Sequence, residues 1–127
     1  AALSLDDGSE VPICASILSS DDAGRAVEQG AAAIGLVRTE FMLPDDGSQP
    51  DAAFYDSALN RLYTAAQPLA LTLRLPDITR DKPVPWLEPI ARMNTPLGLQ
   101  GIRLFGQEPV RSVIVAMLDA INVHADE

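Results

Sequence analysis

A chain of 127 residues, 47% of them hydrophobic and 21% charged, has the balance of one folded domain. That length allows a real core but excludes a complete eight-fold α/β barrel. Nine basic against eighteen acidic side chains give a net charge of −9, which argues against nucleic acid or an anionic membrane surface as the partner of the whole chain.

The opening AALSLDDGSE lacks an initiator methionine, as a processed or excised piece would, and shows no charged-then-apolar signal pattern. Val11 to Ile17 is a short apolar run between turn-forming stretches, which predicts a buried strand. Cys14 lies inside it and is expected as a small buried hydrophobe; being the only cysteine, it excludes an intrachain disulfide. Ser19 and Ser20 supply an N-cap and Asp21 and Asp22 the first-turn acids of a helix that stops at Gly30. The run AAAIGLV follows as a second strand, completing a βαβ unit. Both strands are almost continuously apolar, the pattern of a parallel sheet covered by helices on both faces.

PDDGSQPD, from Pro44 to Asp51, is a turn-rich loop longer than a plain connection. From Ala52 to Ala66, Tyr55, Leu59, Leu62 and Ala66 recur at helical spacing, and LALTLRL, Leu69 to Leu75, predicts a third strand. The order is β-α-β-α-β. Five prolines between Pro76 and Pro96 then rule out a long regular element. Pro109 opens a last helix with Val110, Val113, Ile114, Met117, Leu118 and Ile121 on its apolar face, and His124 near its end is expected to face solvent. No apolar stretch approaches the roughly 20 residues of a membrane span, so the default expectation is a soluble cytoplasmic protein.

The cations carry the functional signal. GLVR and LTLR end the second and third strands on Arg38 and Arg74, and the carboxyl ends of parallel strands are where α/β sheets bind ligands. Two guanidinium forks side by side call for an anion between them. Arg80 and Lys82 follow in the adjoining loop. The alternative is a self-neutralised surface network with Glu40, Asp77 and Asp81, and spacing does not decide between the two. No GxxxxGK[ST] phosphate loop occurs.

Four blocks resemble, in order, the phosphoenolpyruvate-utilising enzyme family, most of all enzyme I of the bacterial sugar phosphotransferase system (phosphoenolpyruvate-protein phosphotransferase). VPICASI resembles the family's first barrel strand, and GAAAIGLVRTEFML the stretch around its first strand-end arginine. LTLRLPDITRDKPVPWL resembles its third strand with an Asp-Lys-x-x-Pro loop, and NTPLGLQGIRL its Asn-Pro-x-Leu-Gly-x-Arg-x-x-Arg block. The resemblance implies an α/β fold, an incomplete (β/α)8 TIM barrel made of about the first three βα units, with residues 1–127 as the N-terminal portion of the phosphoenolpyruvate-binding domain. It also implies Arg38, Arg74 and Lys82 as substrate-phosphate ligands. Glu40, two residues after Arg38, reads from the stretch itself as an orienting partner rather than a catalyst. Arg103 matches the last arginine of its block, in a structural role.

As further implications of the resemblance, the parent transfers a phosphoryl group from phosphoenolpyruvate to a histidine on another domain, with Mg2+ held by residues outside this chain. The partners expected are phosphoenolpyruvate, the remaining barrel half and the phosphohistidine domain. Homo-oligomer contact is a further expectation, because three open parallel strands need cover. Turnover by these residues alone is not expected. The sequence departs from the family pattern at Gln100, where an arginine stands, at Thr79-Arg80, where two glycines stand, and at Leu75, where a threonine stands. Those departures keep open an alternative, a degenerate barrel segment serving as an assembly or regulatory module.

Overall fold

The computed structural model describes residues 2–76, 86 and 105–125. Their elements are β1 (Ala2–Ser4), β2 (Glu10–Pro12), β3 (Cys14–Ile17), α1 (Ser20–Glu28), β4 (Ala33–Arg38), α2 (Ala52–Ala66), β5 (Leu71–Arg74) and α3 (Val110–His124), with a 3-10 turn at Thr39–Phe41 after β4. The chain divides into two compact units, one of Ala1–Met42 with Asn60–Arg74 and the other of Leu43–Leu59 with Leu75–Glu127.

In the first unit, the apolar run that reads as one strand is two. Glu10–Pro12 pairs antiparallel with Ala2–Ser4, and the parallel ladder begins only at Cys14. The hairpin turns on Asp7, whose carboxylate accepts from the Ser9 N–H at 2.9 Å and the Ser9 hydroxyl at 2.6 Å, while Gly8 takes φ +82°. Those two hydrogen bonds hold the Asp7 carboxyl below its usual range. DDGS recurs at Asp45 to Ser48 and folds the same way, with Ser48 on Asp46 at the same distances and Gly47 at φ +76°. The tetrapeptide itself therefore encodes this turn.

The predicted helix starts where its cap dictates. Ser19 Oγ accepts from the Asp22 N–H at 3.2 Å, Asp22 returns a bond to the Leu18 N–H at 3.1 Å, and Gly30 leaves the helix at φ +75°. α2 spans the predicted residues, opened by the Asp51 carboxylate on the Phe54 N–H at 2.8 Å.

β3, β4 and β5 form a parallel sheet in that order. β4 carries one residue more than either neighbour: Ala15 and Ser16 face Ile34 and Leu36, and Leu71 and Leu73 face Ile34 and Val37. The extra residue is a β-bulge at Gly35, and it resets the alternation of the strand. Ile34 and Val37, three apart, are both buried with Ile17, Ala23, Ala26, Leu62 and Ala66. On the other face Cys14, Ser16, Arg38, Thr72 and Arg74 are exposed.

Two expectations are corrected here. Among the described residues one face of the sheet is buried and the other exposed, and Cys14 is exposed rather than buried. The apolar look of GAAAIGLV came from a phase slip, not from double burial. Gly35 is the residue that permits it: a Cβ built there would stand 3.2 Å from the Cys14 Cβ, closer than side chains ordinarily pack.

In the second unit, α3 buries Val110, Val113, Ile114, Met117 and Ala120, with Tyr55 and Leu59 among the other buried residues. Leu118, assigned to the apolar face, is exposed, because the buried stripe runs through Ala120 instead. His124 is also corrected: its side chain is only 13% exposed and sits 3.5 Å from Asp56. The fully buried Tyr55 packs edge-on to Phe54, and its hydroxyl has no hydrogen-bond partner among the described residues. Burial pushes the Tyr55 phenol well above its ordinary value.

Two outcomes follow for stability. Gly35→Val lowers unfolding free energy by about 1–3 kcal/mol in urea titrations, the scale of overpacking a tight site. Tyr55→Phe leaves stability unchanged or raised at neutral pH, since the removed hydroxyl is unsatisfied. A raised folded-state pKa means stability that is full below the unfolded phenol's pKa of about 10 and falls as pH rises beyond it. Melting curves from pH 8 to 11.5 therefore show a smaller alkaline loss for Tyr55→Phe than for the parent.

Candidate functional site

Arg38 and Arg74 are the last residues of β4 and β5, and they are Cα partners in the ladder. Neighbouring strands run about 4.8 Å apart, so partners in register on one face bring their side chains out side by side. Both arginines are exposed on the open face of the sheet. Without the bulge, strict alternation from the buried Ile34 would turn Arg38 toward the core.

The turn that follows β4 supplies the rest of the site. Thr39 and Glu40 are buried, and both reach back to β5 rather than to Arg38. The Thr39 hydroxyl donates to the Arg74 carbonyl, and Arg74 Nη2 donates to Glu40 Oε1. The partner of Glu40 is thus Arg74, 34 residues on, rather than its near neighbour Arg38. The cause is the 3-10 turn Thr39–Phe41, which folds the chain across the end of the neighbouring strand.

The two ends of this pair differ sharply. The Arg74 side chain is 46% exposed and that of Glu40 only 6%. Glu40 Oε2 is buried with no hydrogen-bond partner among the described residues. Arg74 spends one donor on Glu40 and its side chain stays half exposed, so donors remain that a phosphate or carboxylate can take. Arg38 forms no ion pair among the described residues. Of the alternative self-neutralised network, the Glu40–Arg74 pair is present, while Asp77 and Asp81 lie outside the described residues.

Thr39 and Glu40 are the members that sequence reasoning missed or misassigned. The available signal was that Arg-Thr-Glu places two polar groups immediately past a buried strand, where turns fold back over the sheet end. Lys82, Arg80, Gln100 and Arg103 lie outside the described residues. Among those described, no group of three or more His, Cys, Asp or Glu side chains is arranged to hold a metal ion, so the implied Mg2+ finds no ligand set there. No helix among them is long and apolar enough to cross a membrane. A shallow groove along α3 is a poorer candidate, because Arg111 shares it with two acids, Glu108 and Asp119, and Glu108 already accepts from the Ser112 N–H and hydroxyl.

Comparison with known proteins bears on the same residues. Residues 1–124 match the family model described as PEP-utilising enzyme, PEP-binding domain. The phosphoenolpyruvate-protein phosphotransferase of Streptomyces coelicolor is 33% identical over 117 residues, covering 90% of this chain and 21% of the relative. That of Bacillus subtilis is 36% identical over 122 residues, covering 90% of this chain and 20% of the relative. The multiphosphoryl transfer protein 2 of Escherichia coli is 31% identical over 115 residues, covering 91% of this chain and 14% of the relative. The chain thus spans about a fifth or less of the length of these relatives. With nearly its whole length matched, the chain belongs to the PEP-binding domain family of the PEP-utilising enzymes.

Proposed function

We propose that this chain is the N-terminal part of the phosphoenolpyruvate-binding barrel of a phosphotransferase, with Arg38 and Arg74 gripping the substrate phosphate and Lys82 beside them. The observation that carries the reading is the register match of Arg38 and Arg74 at the carboxyl end of the parallel sheet. Active sites of (β/α)8 barrels occupy that end. The strand order β3-β4-β5, with α1 and α2 in the two crossovers, is the order in which such a barrel begins. On this reading the open face bearing Cys14, Ser16 and Thr72 is the barrel interior, covered by later strands of a longer protein.

The chemistry fits the residues. Phosphoryl transfer asks a protein chiefly to position the group and to neutralise charge that develops on its oxygens. Two guanidinium forks hold phosphoenolpyruvate by its phosphate while the phosphorus–oxygen bond to the enol breaks, a histidine nitrogen of another domain bonds to the phosphorus, and the departing enolate becomes pyruvate on taking up a proton. Mg2+, when bound by residues of the longer protein, supplies further charge neutralisation. Cytoplasmic sugar uptake through a phosphotransferase system is the corresponding physiological role, and self-association of the barrel belongs to the same proposal.

A second reading, a degenerate barrel segment used in assembly or regulation, rests on Gln100 standing where the family pattern has an arginine. Gln100→Arg in the longer protein separates the two: a large gain in phosphotransfer marks a weakened site, and no gain favours the assembly role.

Calorimetric titration of the full-length protein with phosphoenolpyruvate tests the main reading. Arg74→Ala is expected to lose about 2–5 kcal/mol of binding, as when one side of a charged contact is removed. Equal affinity of parent and variant would remove the assignment.

A further inference from the structure

Glu40 is more buried than a surface partner for an arginine needs to be. Exposed ion pairs contribute little, and both ends of such a pair normally stay hydrated. Here the arginine is half exposed while the carboxylate is almost wholly buried, with one oxygen on Arg74 and the other on nothing among the described residues. A buried carboxylate oxygen without a donor is costly, so the arrangement is poor as a device for stability. Its geometry makes sense for Arg74. The side chain of a free, half-exposed arginine samples many rotamers, and that freedom is lost when it closes on a ligand.

Thr39 and Glu40 remove the freedom in advance, from both ends of the residue. The Thr39 hydroxyl holds the Arg74 carbonyl, and so the end of β5, while Glu40 Oε1 holds Nη2 of the guanidinium. We propose that Glu40, assisted by Thr39, is a positioning residue that presents the Arg74 fork to the phosphate of the ligand. The tripeptide Arg38-Thr39-Glu40 then delivers one anion ligand directly and aims the second, which lies on another strand. This inference rests on the phosphoenolpyruvate-binding reading of Arg38 and Arg74.

The test uses the full-length protein and phosphoenolpyruvate binding, measured for the parent, Glu40→Gln, Arg74→Ala and the double variant, with melting temperature alongside. Glutamine keeps the shape but makes a weaker, uncharged hydrogen bond to Arg74. Glu40→Gln is expected to melt at or above the parent temperature, because a buried charge has gone, and yet to bind about tenfold more weakly. In the Arg74→Ala background the same change produces no further loss. Thr39→Val weakens binding in the same direction and Thr39→Ser restores it, which keeps the test decisive should Glu40→Gln fail to fold. Binding by Glu40→Gln as tight as or tighter than the parent, with Arg74→Ala impaired, overturns the positioning role and leaves the anion site standing. An equal loss from Glu40→Gln with and without Arg74 also overturns the positioning role. Unimpaired Arg74→Ala overturns the anion site itself, and the positioning role with it.

Discussion

One extra residue in β4 decides what the sheet presents. Side chains alternate along a strand, so buried Ile34 and exposed Arg38, four positions apart, would lie on the same face of a regular strand. The bulge at Gly35 inserts a step, and after it Val37 joins Ile34 in the core while Arg38 turns outward into register with Arg74. Core and site are therefore set by the same irregularity. A strand that restored regular pairing would bury the guanidinium or expose Val37. Glycine suits the position because the Cys14 Cβ lies where its side chain would go.

The second dependence runs across the strands. The turn after β4 lies over the end of β5, and its two buried polar residues are committed to Arg74 rather than to their own strand. The result is an asymmetric pair of cations: Arg74 tethered to a carboxylate, and Arg38 with no ion pair among the described residues. Adjacent like charges repel, and the Glu40 carboxylate offsets part of that repulsion without closing the site. Fold stability is supplied elsewhere, by Ile17, Ile34 and Val37 in the first unit and by the apolar stripe of α3 in the second.

Much of this was legible from residue order. α2 occupies the residues its periodicity marks, the Ser19 cap starts α1, and the two strand-end arginines fall where an anion site of a parallel sheet would put them. What was not legible has physical causes. A bulge changes which face a residue takes without changing composition, so Cys14 read as buried and the sheet as doubly covered. The hairpin of β1 and β2 was announced by Asp7-Gly8 but hidden by the continuity of Val11 to Ile17. The pairing of Glu40 with Arg74 was not legible, because sequence distance says nothing about a neighbouring strand. His124 read as solvent-facing because its contact with Asp56 is non-local.

In the proposed site Arg38 and Arg74 face one anion together. The most direct measurement follows the arginine side-chain Nε–H resonances of the full-length protein by NMR while phosphoenolpyruvate is added. The Arg38 and Arg74 signals are expected to shift together with a single dissociation constant. Movement of neither signal, or of the two with separate constants, would contradict the shared site.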